Sequence, residues 1–196
     1  MPQRSRLTAF ATLVAAAVLA FPPLAGAEGG HNHVTAVNQS DGRLATQGRA
    51  VLALDHGPTV DAENTAVARA SCTDCRTVAV AVQVLPVDGT VSDFRPLNAA
   101  VAVNEDCTRC QTYAYARQEV IAVDGPFSLT AEGRDRIDQL EAAIEQAAES
   151  DEPFVELGAD LDRLVVQLRD AVLAEVNGAG RQTRGHTVRR DVDTRG

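Results

Sequence analysis

The residues of this chain best equipped for chemistry are its four cysteines, which come as two Cys-x-x-Cys pairs, Cys72-Thr-Asp-Cys75 and Cys107-Thr-Arg-Cys110. Three chemistries use that spacing. An even cysteine number in an exported chain reads first as a disulfide framework. Local bridges, Cys72 to Cys75 and Cys107 to Cys110, would staple two turns and leave the pairs equivalent. Loop entropy favours crossed bridges instead, worth about 4 kcal/mol each against about 2 for a local one. Symmetry and turn geometry favour the local bridges, and those are the expectation. The alternative is a small zinc-binding domain, since two CxxC turns are how zinc ribbons present four thiolates, here Cys72, Cys75, Cys107 and Cys110. An extracytoplasmic thiol-disulfide protein comes third. A reactive CxxC draws its low thiol pKa from a helix N-terminus or nearby positive charge, and only Arg76 and Arg109 stand close by in this sequence.

The cysteines sit inside an internal repeat. Asn64-Thr-Ala-Val-Ala precedes the first pair and Asn98-Ala-Ala-Val-Ala the second; each copy closes on Val-Asp-Gly, at Val87 to Gly89 and Val123 to Gly125. The cysteines, the threonine after each pair, two alanines and a glutamine recur at an offset of 35 residues. A degenerate third copy precedes them, with Ala36-Val-Asn38 matching Ala102-Val-Asn104 and Asp41-Gly42 standing where the others have CxxC. The turn can therefore be built without cysteine. Val78, Val80, Val82 and Val84 alternate with Ala79, Ala81 and Gln83, a period of two that predicts a strand. Alanines rather than charges on its second face predict cover on both sides. The matching segment after Cys110 is read as a strand on the strength of the repeat. Asp-Gly between apolar flanks is a hairpin signal. The expected fold is thus α+β: an antiparallel sheet built from two or three repeated β-hairpins, two with CxxC turns, followed by a C-terminal helical hairpin.

The helical part begins at Thr130, a good N-cap with Glu132 behind it. Ile137, Leu140, Ile144 and Ala147 recur at helical spacing up to a break at Ser150-Asp-Glu-Pro153, and Leu157, Leu161, Leu164, Val165, Leu168, Val172 and Val176 form a second stripe. Either these faces bury against each other and the sheet, or part of the second stripe binds a partner helix. The predicted organisation is a signal peptide over 1–27, a flexible leader over 28–36, the repeated hairpins over 37–129, the helical hairpin over 130–176 and a disordered Arg/Gly-rich tail over 177–196.

Arg4 and Arg6, an apolar run from Leu7 to Phe21 and Ala25-Gly-Ala27 have the layout of a cleaved secretory signal. That run is short of the roughly 20 residues needed to span a bilayer, so the mature protein is expected to be secreted, with no membrane span after signal cleavage. With 27 acidic residues and a net charge of −9 over the full chain, its surface is a poor match for nucleic acid or anionic membrane. No HExxH, Gly-x-Ser-x-Gly or Gly-Lys-Ser phosphate motif is present, and His31, His33, His56 and His186 fall in leader, loop and tail. The reading is a secreted non-enzymatic structural or interaction module that needs no cofactor, zinc being the alternative, and that binds an unknown protein or cell-envelope component.

Ser71-Cys-Thr-Asp-Cys-Arg-Thr-Val-Ala-Val-Ala-Val-Gln83, with the second CxxC and the helical pair behind it, resembles a cysteine-containing extracytoplasmic region found in actinobacterial proteins, some of them assigned as peptide zinc metalloproteases. The likeness spans about Asn38 to Val176. The membrane helices and zinc-binding catalytic motif of those proteins have no counterpart here, so the resemblance implies a free-standing secreted version of an accessory domain.

Overall fold

The computed structural model describes residues 30–56 and 58–195, and the expected signal peptide lies outside them. The chain runs β1 (His31–Asn38), β2 (Leu44–Leu52), β3 (Asp55–His56), β4 (Thr59–Val60), β5 (Glu63–Ala70), β6 (Arg76–Asp88), β7 (Asp93–Phe94), β8 (Leu97–Asn104), β9 (Gln111–Val123), α1 (Ala131–Ala148), α2 (Phe154–Gly178) and β10 (Thr183–Arg195). The class is α+β, with repeated strand–turn–strand units and a helical hairpin behind them.

How the units pair departs from expectation. The two arms of a unit do not bond to each other as in an antiparallel hairpin; each bonds in parallel to the same arm of the next unit. One sheet has the order β1-β5-β8, with His31 opposite Glu63 and Glu63 opposite Leu97. The second joins β2, β6 and β9, with Leu44 opposite Arg76 and Arg76 opposite Gln111. The short strands β4 and β7 pair in parallel as well. The three units are therefore successive coils of a solenoid, each stacked on its neighbours.

Two features of the repeat explain this. Each turn carries the chain from one sheet to the other rather than back along the same sheet. Side chains repeated once per coil then stack on their own kind, which parallel stacking in register alone allows. Asn32, Asn64 and Asn98 form such a ladder: Asn32 Nδ2 donates to Asn64 Oδ1 at 2.9 Å, and Asn64 Nδ2 to Asn98 Oδ1 at 2.6 Å. They also tie the sheets together, because Asn64 Nδ2 donates to Ala81 O and Asn98 Nδ2 to Ala116 O on the opposite sheet. Gln118 Nε2 donates to Gln83 Oε1 at 2.7 Å, the start of a second ladder.

The space between the sheets is filled by alanine: Ala36, Ala66, Ala68, Ala79, Ala81, Ala114 and Ala116 pack with Val34. Such small side chains let two sheets approach closely. The other face of β6 presents Val78, Val80, Val82 and Val84, joined by Tyr113 and Tyr115 of β9, to Ile137, Ile144, Leu157, Leu161, Leu168 and Val172 of the helices. The α2 stripe is thus buried within the molecule, and β6 is covered on both sides.

The two sides of the β2-β6-β9 sheet are covered in different ways. Along β2, α1 lies across an edge that would otherwise leave backbone donors open: Ala50 N donates to Glu145 Oε1 at 3.3 Å and Leu52 N to Glu141 Oε1 at 2.6 Å. Gly48 makes this contact feasible, since a Cβ there would lie 2.9 Å from Ala148 Cβ and 3.1 Å from Glu145 Cα. Along β9 the cover is β10, antiparallel, from Thr183 opposite Val123 to Arg195 opposite Gln111. This corrects the expected disordered tail: a segment with too little apolar residue to fold alone gains a strand's backbone partners from a ready edge. The flexible leader is corrected too. His31–Asn38 is a strand of alternating exposed and buried residues, concealed in the sequence because one inward residue is the ladder asparagine, Asn32.

Burial pushes the Glu141 carboxyl up to about 7, with Asp138 and Glu145 adding to the effect and the Leu52 amide and Arg49 opposing it. A carboxyl that holds its proton more tightly folded than unfolded makes the fold lose stability as pH rises from the ordinary Glu range through about 7. Glu141→Gln keeps an acceptor for Leu52 and removes the charge. Denaturant melts should show this variant more stable than wild type by about 1 kcal/mol at pH 8.5, after allowance for partial exposure, and equal to it at pH 5. A difference independent of pH would refute the assignment.

Candidate functional site

The four cysteines lie at one corner of the solenoid, where the strands of one sheet turn into those of the other. Register places Ser40-Asp41-Gly42-Arg43, Cys72-Thr73-Asp74-Cys75 and Cys107-Thr108-Arg109-Cys110 over one another. The turns bond as the strands do: Gly42 N donates to Thr73 O at 2.8 Å, Asp74 N to Thr108 O at 2.9 Å and Thr108 N to Cys72 O at 3.2 Å. In each turn the third residue has positive φ: Gly42 at 64°, Asp74 at 53° and Arg109 at 53°. Glycine adopts that conformation without strain, whereas Asp and Arg resist it. In the two coils that lack glycine, the sulfurs are paired across the turn.

Cys72 and Cys75 Sγ are 2.03 Å apart and Cys107 and Cys110 Sγ 1.99 Å apart, so the pairing is local. The two bridges also stack: Cys75 and Cys110 Sγ are 3.4 Å apart, and a ligand sulfur from each of the four cysteines falls within 4.8 Å of the others. Cys72, Cys75 and Cys110 are buried.

The cations near the sulfurs are already engaged. Arg109 pairs with Asp74 of the coil below; that bond holds the Asp74 carboxyl below the usual range and raises Arg109. Burial lowers Arg76, whose guanidinium lies 4.1 Å over the Phe154 ring and donates to Glu152 O. Cys75 and Cys110 lead directly into β6 and β9, so neither pair sits at a helix N-terminus.

Two further polar groups escaped the sequence reading. Between β9 and α2, Arg117 pairs with Glu119 at 2.7 Å and with Asp162 at 3.3 Å, while Tyr115 Oη donates to Asp162 Oδ1 at 2.8 Å. Burial works against the Arg117 charge, but Glu119 first, then Tyr115 and Asp162, outweigh it and raise its pKa. This network locks the sheet to α2. Tyr115, Arg117 and Glu119 share a strand face, and that period of two was its one signal in the sequence. The second group is at β1. His31 and His33 point outward beside Glu63 of β5, with His33 Nε2 3.5 Å and His31 Nδ1 4.0 Å from Glu63 Oε2.

No protein-family model matches the chain, no curated protein matches it, and no solved structure does. No helix among the described residues is long and apolar enough to cross a membrane.

Proposed function

We propose that this chain is a secreted, non-enzymatic interaction module, held rigid by its two turn bridges, that binds an extended segment of another protein by adding it as a strand alongside β1. The observation that carries this reading is the unequal treatment of the solenoid's edges. Helix α1 covers β2 and β10 covers β9. Beside β8 lies β10, whose Thr194 Oγ1 donates to Ala102 O and whose Thr194 carbonyl accepts from Asn104 Nδ2 at 3.4 Å. Strand β1 ends its sheet, and among the described residues no strand lies along its outer side. The ladder also stops there: Asn32 Oδ1 is buried with no partner among the described residues, and a further strand could supply its missing donor. Strand addition to a sheet edge is an established mode of peptide capture. The secretory signal and the resemblance to an extracytoplasmic accessory region agree with this role.

The test is site-specific photo-crosslinking of the secreted protein in its native culture, with the probe at Val37 on β1, 55% exposed, or at Val155 on α2, 79% exposed. A discrete protein adduct from Val37 and none from Val155 is the expected result. Labelling from both positions, or from neither, overturns the reading.

The convergence of four sulfurs within 4.8 Å favours one second reading, a zinc-binding domain using Cys72, Cys75, Cys107 and Cys110. Intact mass of the secreted protein under alkylation, with a metal assay on the native sample, separates the two. Four unreactive cysteines support the disulfide-held module; four alkylated thiols with one equivalent of zinc establish the metal domain.

A further inference from the structure

We infer that His31, His33 and Glu63 form a surface site for a single zinc ion, separate from the cysteines. The argument begins with strand geometry. Residues two apart on a strand point to the same face, and the alternating burial of β1 turns both imidazoles outward. Parallel register sets Glu63 directly opposite His31, so the carboxylate stands beside both rings. The ring planes lie 18° from parallel with centroids 6.1 Å apart, and a ligand atom from each of the three residues lies within 4.8 Å of the others.

Two imidazole nitrogens and one carboxylate oxygen are a zinc donor set. Bond lengths of about 2.1 Å in a tetrahedral shell place neighbouring donors roughly 3.4 Å apart. His33 Nε2 is already 3.5 Å from Glu63 Oε2, and His31 Nδ1 is 4.0 Å from it. The remaining closure of about 1 Å needs side-chain rotation alone, and both histidines are exposed enough to rotate. Thr65 Oγ1 donates to Glu63 Oε1 at 3.5 Å, leaving Oε2 to face the rings; such outer partners orient metal ligands. Water would complete the shell. The next coil has Leu97 opposite Glu63 and Ala99 opposite Thr65, so the site belongs to the junction of the first two coils. A bound ion would clamp the edge strand β1 to β5.

The experiment is calorimetric titration of zinc chloride into the full mature protein, oxidised and free of reductant, at pH 7.5 and 5.5, with thermal melts alongside. One equivalent should bind at pH 7.5. His33→Ala and Glu63→Gln should each weaken binding by about 10-fold or more. Protons compete with a metal ion for imidazole nitrogen, so binding should be weaker at pH 5.5 than at pH 7.5. Zinc should raise the melting temperature of wild type but not of His31→Ala/His33→Ala, which removes no buried side chain and should fold as wild type does. Absence of binding, or binding that survives in the double variant, overturns the site. Neither result bears on strand addition at the β1 edge, which the crosslinking at Val37 tests independently.

Discussion

Replacing Asn64 by leucine should cost about 4 kcal/mol of folding stability and lower the melting temperature by about 10 °C. Asn64 is fully buried and is the middle rung of the ladder. Its Nδ2 serves Asn98 Oδ1 at 2.6 Å, Ala81 O at 3.1 Å and Arg117 O at 3.2 Å, while its Oδ1 accepts from Asn32 Nδ2 at 2.9 Å. Leucine nearly matches asparagine in size but satisfies none of these groups. Each buried polar group that loses its partner costs about 1–3 kcal/mol, and the low dielectric between the sheets raises that cost. Asn32→Leu should cost about half as much, because this end rung donates without accepting from another rung. Denaturant unfolding of both variants is the measurement; equal losses, or an Asn64→Leu loss below about 1 kcal/mol, would show that the alanine packing holds the sheets without the ladder.

The second large effect concerns the cysteines. Rebuilding the middle turn on the pattern of the first coil, by Cys72→Ser, Thr73→Asp, Asp74→Gly and Cys75→Ala, should leave the fold intact and remove about 2 kcal/mol, the loop-entropy value of so short a bridge. The reason is the stacking of the three turns. Gly42 at φ 64° holds the position that Asp74 holds at 53°, so a backbone path without a disulfide already exists one coil away. Glycine also relieves the left-handed strain of Asp74. Its lost pairing with Arg109 is solvent-exposed and contributes little. Retained circular dichroism with a lowered denaturation midpoint is the expected result. A chain that no longer folds would mean that the bridges specify the corner rather than stiffen it.

Much of this was legible in the residues alone. The repeat, the turn shared by all three copies, the strand at Val78 to Val84, the Thr130 cap and the α2 stripe each rest on local chemistry that a sequence displays directly. Thr130 Oγ1 accepts from Gly133 N at 2.9 Å, as the cap pattern predicts. The match of Ala36-Val-Asn38 to Ala102-Val-Asn104 is the register found through β5. Pairing direction was not legible, since a strand's alternation is the same whether its neighbour runs parallel or antiparallel. Asp41-Gly42 signalled a reversal, yet the turn passes between sheets.

The tertiary structure decided what no local pattern encodes. Asn32 and Gln83 look like surface residues until stacking places them beside their own counterparts. The segment Thr183–Arg195 has no reason to be a strand except the edge of β9. Glu141 reads as the polar face of an amphipathic helix, and acquires its raised pKa from the β2 edge it covers. His31, His33 and Glu63, separated by about thirty residues of chain, become one cluster through the parallel offset of a single coil. By itself the sequence determined a thrice-repeated unit, its strands and turns, and the helices that follow. Stacking decided the partners, because hydrogen bonds and metal ligands depend on distances in space that chain spacing does not set.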